Sequence, residues 1–258
     1  MEKIRAAVIL AIFLIVTLIL TPWQWLGVTL GLPHARTFPH RYHRFVARLF
    51  GIRIRVIGAL PRQAVLMVAN HTGWLDIVVF SAVAPISFVA KSEVGTWPFF
   101  GTLARLQRTV FVERTRRSRT GAARDSIAAR LAEGDTLVLF PEGTSSDGNA
   151  VLPFKSALLG AAESVLADGH HVTVHPVSTA YTSSHGIPMG REARPLYAWY
   201  GDMELVPHLW EALKAGPLDV VVQFHQPLSL DRMDRKELAR AAEEVVRAGQ
   251  ARALAGLA

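Results

Sequence analysis

The chain has no cysteine among its 258 residues, which excludes disulfides, thiolate nucleophiles and cysteine-ligated metals. It also lacks a Gly-x-Ser-x-Gly turn, so the usual elbow that presents a serine nucleophile is missing. No His-Glu-x-x-His pattern occurs, and neither His34, His40 and His43 nor the group His170, His171 and His175 has the carboxylate spacing of a ligand set. No metal and no cofactor are expected. Acidic residues are outnumbered: 28 Lys and Arg stand against 21 Asp and Glu, a net charge of +7. That excess attracts anionic partners such as lipid headgroups, an acidic carrier protein or nucleotide phosphates. Nucleic acid is not expected, because no recognition module accompanies the charge. Half of the residues are apolar, yet only one concentrated apolar run occurs, at the N-terminus. No internal repeat, low-complexity tract or long linker divides the chain.

From residue 52 onward short β-rich runs alternate with helical patterns, which is the signature of an α/β layered domain. Strands are expected at Ile52–Ile57, Val65–Ala69, Ile86–Ala90, Thr109–Glu113, Thr136–Phe140, Val172–Ala180 and Asp219–His225. Helices are expected at Leu75–Val83, Ser118–Glu133, Ser156–Ala167, Glu204–Lys214 and Arg235–Ala255, the last opened by an Asp234/Glu237 capping box. The fold class is therefore α/β, a layered mixed sheet flanked by helices. The chain is expected to divide into a membrane-associated segment, residues 1–50, and one α/β domain, residues 51–258.

Two polar segments stand out, Asn70-His71-Thr72-Gly73-Trp74-Leu75-Asp76 and Phe140-Pro141-Glu142-Gly143-Thr144, each just past an apolar strand. Open α/β sheets place ligands and chemistry at such strand exits. His71 can supply a base, since imidazole is the side chain whose unperturbed pKa lies nearest neutrality, and Asp76 can hold it in one tautomer. The spacing alone decides little, since a helix-capping Asp beside an unrelated His gives the same pattern. In the second segment Pro141 and Gly143 flank Glu142 and bend the chain so that the carboxylate and backbone N–H groups point outward.

Taken together and in this order, the two segments resemble the PlsC-like glycerolipid acyltransferases, whose first block is Asn-His-x4-Asp and whose third is Phe-Pro-Glu-Gly-Thr. Val110-Phe111-Val112-Glu113-Arg114 resembles the second block, with Glu113 where Asp is usual, and Val174-His175-Pro176-Val177 resembles the fourth. The resemblance spans roughly residues 50 to 200. It implies that His71 is the general base that deprotonates an acceptor hydroxyl attacking an acyl thioester, with Asp76 orienting the ring and no acyl-enzyme. It further implies that Arg114 grips the acceptor's phosphate, a task suited to a guanidinium fork, and that Glu142, Gly143 and Thr144 bind the acceptor or order the site. Backbone N–H groups at a helix start or around Gly143 are candidate oxyanion donors.

The implied reaction is transfer of a fatty acyl group from acyl-CoA or acyl-carrier protein to a lysolipid hydroxyl. Lysophosphatidic acid leads as acceptor because Arg114 is present. One departure favours another lipid: the third block often continues with arginine, and here Ser145-Ser146-Asp147-Gly148 follows instead. Losing one charge-assisted hydrogen bond weakens a phosphate site by roughly 1.5–3 kcal/mol unless Lys91, Arg108 or Lys155 replaces it. The stretch from Ser146 to Lys155 resembles a branch that acylates lyso-ornithine lipid, whose head has no phosphate. A lipid hydrolase and a non-catalytic lipid-binding protein are the rivals from other classes.

At the N-terminus Ala6–Leu20 is apolar except for Thr17, and Thr21-Pro22-Trp23-Gln24-Trp25 is expected to end the run before Leu26–Leu32. Fifteen residues of helix cover about 22 Å, short of a hydrocarbon core of roughly 30 Å. No small-x-small cleavage site follows, so a tilted span or the family's helix–turn–helix dipping into one leaflet is expected rather than a signal peptide. Pro39–Phe50 carries aromatic and apolar residues at helical spacing with Arg41, Arg44 and Arg48 between them, which suits either an interfacial helix or a surface helix packed on the domain. Trp97-Pro98-Phe99-Phe100-Gly101 fits either a lipid entrance or core packing, and the arginines of residues 114–119 fit either a solvated face or a landing patch for anionic partners. Basic residues flank the apolar run on both sides, so orientation does not follow from charge; thioester donors imply a cytoplasmic membrane with the catalytic domain facing the cytoplasm.

Overall fold

The computed structural model describes residues 1–113, 120–163, 172–231 and 233–258. Eight strands are present among them: β1 (Ile52–Ile57), β2 (Leu66–Ala69), β3 (Ser87–Lys91), β4 (Val110–Val112), β5 (Leu137–Leu139), β6 (Val174–Ser184), β7 (Ile187–Pro188) and β8 (Leu218–Phe224). They form one sheet in the order β1-β8-β6-β2-β5-β3-β4, with the short β7 on β6. β8 and β7 run antiparallel to β6 and the other pairs are parallel, so the sheet is mixed as expected.

The helices are α1 (Glu2–Thr29), α2 (His34–Leu49), α3 (Leu75–Val83), α4 (Phe100–Leu106), α5 (Thr120–Ala132), α6 (Leu205–Ala215) and α7 (Arg235–Leu254). The central strands β2 and β5 are buried on both faces, which is why they read as unbroken apolar runs. Period two still sorts their side chains. Met67, Ala69, Val138 and Phe140 join the core beneath α2, α3 and α6, while Leu66, Val68, Leu137 and Leu139 join the one beneath α5 and α7. Asp234 accepts from the Glu237 backbone N–H and Glu237 from that of Asp234, completing the capping box of α7. The segment expected as a helix over Ser156–Ala167 is a 3-10 helix over Ser156–Glu163, and its remainder lies outside the described residues.

The N-terminal run does not break at Pro22. α1 continues through it for 28 residues, about 42 Å rather than 22 Å. Pro22 has no N–H for the Leu18 carbonyl and would loosen the turn. Two threonines just before it bond back to the preceding turn, Thr17 Oγ1 donating to Phe13 O (2.5 Å) and Thr21 Oγ1 to Thr17 O (2.7 Å). By length and composition α1 could cross a membrane, but in the structure it lies along the domain. Arg5 donates to Lys214 O at the end of α6 (2.9 Å), and Gln24 to Leu106 O at the end of α4 (2.8 Å). Ala6, Phe13, Thr17, Gln24 and Gly27 form its buried stripe, and Ile15, Leu18, Ile19 and Trp23 are exposed.

α2 begins at His34, five residues before the expected start, and packs Val46 and Ala47 inward against the domain with Arg41, Arg44 and Arg48 exposed. Gly27 admits the close approach of the two helices: a Cβ there would stand 2.4 Å from His34 Nε2.

Candidate active site

The first motif continues β2. Asn70 carries the β2–β6 ladder one step further with its side chain, Nδ2 donating to Thr179 O (2.9 Å) and Oδ1 accepting from Thr179 N–H (2.8 Å). Two residues past Ala69, His71 therefore falls on the same side of the sheet as Met67 and Ala69. Phe140 leaves the adjacent, parallel β5 on that side too, and the imidazole stacks on its ring with centroids 4.0 Å apart and planes 15° from parallel. The two polar segments so meet at one end of the sheet.

Asp76 lies in the first turn of α3, where the helix dipole favours a carboxylate. Its Oδ2 accepts from the backbone N–H groups of Thr72 (2.6 Å) and Gly73 (3.0 Å) and sits 2.8 Å from His71 Nδ1. Asp76 is not the cap of α3, whose N-cap is Trp74; the carboxylate reaches back from the first turn to order the loop that carries His71 and to hold the ring. A carboxylate can only accept here, so the ring proton sits on Nδ1 and Nε2 keeps its lone pair. Oδ1 accepts from Tyr181 on β6 at 2.7 Å. Burial and the Asp76 charge raise the Tyr181 phenol well above 10, so it acts as a donor. Asp76 is fully buried with four donors around it. Sequence reading missed Tyr181 because the expected strand ends at Ala180, whereas β6 runs on to Ser184 and carries the tyrosine back beside Asp76.

Glu142 lies beneath the histidine. It is 1% exposed, and its Oε1 accepts from the His71 backbone N–H (3.2 Å). Burial pushes the carboxyl up to about 8; hydrogen bonds from the His71 and Leu152 backbones oppose this, and the Asp76 charge adds to it. Gly143 occupies the left-handed region (φ +74°), and a Cβ on it would stand 3.0 Å from Lys155 Nζ. Three of the backbone donors near the site are engaged within the protein: Gly143 N–H donates to Phe140 O, and the Thr72 and Gly73 N–H groups just before α3 serve Asp76.

A cavity of about 460 Å³ opens at His71 and is lined by Phe140, Gly143, Thr144 and Ser145 of the motifs and by Phe13, Leu20 and Tyr42 of the N-terminal hairpin. Its walls are largely apolar. Trp97 and Phe100 line it as well, so the aromatic segment faces the site rather than only the core. Of the three cations considered as replacements for the missing arginine, Lys91 lines the cavity and Lys155 abuts Gly143. Arg108 is committed elsewhere: with Arg130 it grips Asp135 (2.9, 2.9 and 2.6 Å), and these bonds outweigh burial to hold that carboxyl below its ordinary range. Arg114 and the arginine run that follows it lie outside the described residues, as do His170 and His171. His175 of the fourth block is buried on β6, edge-on to Phe224 and away from the cavity lining.

Residues 52–191 match the family described as Acyltransferase. The chain is 51% identical over 257 residues to the lyso-ornithine lipid O-acyltransferase of Brucella abortus, covering 98% of this chain and 96% of that one. It is 46% identical over 241 residues to the lyso-ornithine lipid O-acyltransferase of Rhizobium meliloti (92% and 82% covered). It is 36% identical over 162 residues to the 1-acyl-sn-glycerol-3-phosphate acyltransferase of Neisseria gonorrhoeae (63% and 59% covered). The fold matches the crystal structure of PlsC from Thermotoga maritima with a TM-score of 0.67 at 24% identity, over 96% of both chains.

Proposed function

The chain belongs to the acyltransferase family, and from that premise we propose that it moves a fatty acyl group from a thioester to the hydroxyl of lyso-ornithine lipid at a membrane surface, with His71 as general base. The observation that carries this is the His71–Asp76 contact of 2.8 Å at the mouth of an apolar cavity. It leaves Nε2 free to take the proton of the acceptor hydroxyl as that oxygen attacks the thioester carbonyl. The resulting imidazolium, stabilised by Asp76, returns the proton to the departing thiolate. A positioned base of this kind is worth typically 10²–10⁴-fold. No serine or threonine nucleophile is required. The cavity walls suit an acyl chain, and acyl-CoA or acyl-carrier protein is the proposed donor.

Glu142 supports the geometry by accepting from the His71 backbone, and Gly143 and Thr144 shape the acceptor side. Two observations favour lyso-ornithine lipid. Ser145 stands where the family often has a phosphate-binding arginine, and the full-length relatives quoted above carry that activity in their names. Lysophosphatidic acid is the second reading, favoured by Arg114 and by the Neisseria relative. Membrane association is supported by the exposed apolar face of α1 beside the arginines of α2, with the cytoplasmic face as the proposed side.

The test is an acyl-transfer assay on detergent-solubilised protein with both acceptors and both donor types. Diacylated ornithine lipid as the main product supports the proposal, and phosphatidic acid alone reassigns the acceptor. Free fatty acid in place of either makes the protein a hydrolase, and no product from any pairing makes it a binding protein.

A further inference from the structure

Three features of the motif loops converge on one residue outside them, Trp199, and hold its backbone. The Thr72 carbonyl, next to His71, accepts the Trp199 backbone N–H at 2.9 Å. Ser145 donates its hydroxyl to the Trp199 carbonyl at 2.5 Å. Gly73 leaves the room for this approach, since a Cβ there would stand 2.8 Å from Trp199 N and 2.9 Å from Trp199 Cβ. The indole N–H is itself given to Met203 O (2.8 Å), and Trp97 meets the ring edge to face, centroids 5.8 Å apart at 82°. Both indoles line the cavity that contains His71.

A ring whose N–H and backbone are all engaged offers a ligand only its aromatic surface. That surface attracts cations through its quadrupole and has nothing to offer a phosphate dianion. An arginine does the reverse: it binds phosphate bidentately and repels an ammonium. At the residue where the family often carries arginine, this chain instead uses a serine to fix an indole beside the base.

We propose that Trp199, flanked by Trp97, recognises the ammonium group of the acceptor head and so sets the preference for an amine-bearing lysolipid over a phosphate-bearing one. The proposal rests on the lyso-ornithine reading of the acceptor. The ornithine carboxylate has its own counter-charge in Lys91, which lines the same cavity.

The experiment uses the full chain in detergent and three acceptors: lyso-ornithine lipid, the same lipid with its free amine acetylated, and lysophosphatidic acid. For the wild type, acetylation should raise KM roughly five- to thirtyfold, the span from a partly exposed to a desolvated cation–π contact. Trp199→Phe should keep most of that discrimination. Trp199→Leu should lose it, its KM for lyso-ornithine lipid rising towards that of the acetylated lipid while kcat falls less. Equal wild-type KM values for the free and acetylated heads overturn the proposal without any variant having to fold, as does a folded Trp199→Leu that still discriminates fully. A wild type that acylates lysophosphatidic acid and not lyso-ornithine lipid defeats the acceptor reading itself, and the role of Trp199 falls with it. If lyso-ornithine lipid is acylated and only the amine discrimination is missing, the acceptor reading stands alone.

Discussion

Tyr181 donates its hydroxyl to Asp76 Oδ1 at 2.7 Å, the oxygen that His71 does not use. A strand on the far side of β2 from Phe140 thus fixes the carboxylate that fixes the base. Tyr181→Phe removes the donor and leaves Oδ1 buried without a partner, which costs about 1–3 kcal/mol. The expected result is a lower melting temperature together with a roughly tenfold loss of kcat, part of the general-base contribution, with KM for the lysolipid little changed. A kcat equal to that of the wild type would show that Asp76 keeps its place without the tyrosine.

The Glu142 carboxyl, raised from 4.5 to about 8, makes stability fall with rising pH between those values. Between those values the folded chain holds a proton that the unfolded chain releases. Its contribution is therefore fully present below pH 4.5 and is lost as pH rises through 8. Glu142→Gln keeps the oxygen that accepts from His71 N–H and removes the titration. Its melting temperature should fall less steeply from pH 6 to 9 than that of the wild type. Parallel curves would place the titration elsewhere.

On the membrane side, Ile15 and Ile19 are 57% and 69% exposed on the outer face of α1. Burying an isoleucine in the bilayer boundary is worth about 1.5–3 kcal/mol, so Ile15→Asp with Ile19→Asp should cut partition onto anionic vesicles by roughly tenfold or more, with the melting temperature in detergent preserved. Undiminished sedimentation with vesicles would mean that α1 is not the docking face.

The parts legible in the sequence were those set by local pattern. β1, β2 and β5 are runs of β-formers bounded by turn residues, and the two polar motifs sit at strand exits because parallel neighbours end together. Tyr181 and Trp199 were not legible, since each acts through a partner more than a hundred residues away in sequence, Tyr181 with Asp76 and Trp199 with Thr72. Pro22 pointed to a break, yet α1 runs through it, tied to the domain on either side of the proline by Arg5 and Gln24 through contacts that only the fold supplies. Arg108 read as a spare cation because its partner Asp135 is brought beside it only by the fold.

The most direct measurement is the single-turnover rate of acyl transfer to lyso-ornithine lipid for His71→Ala, with circular dichroism confirming that the variant is folded. General-base catalysis at His71 predicts a fall of roughly 10²–10⁴-fold. A folded His71→Ala protein that transfers acyl groups within a few-fold of the wild-type rate would contradict it.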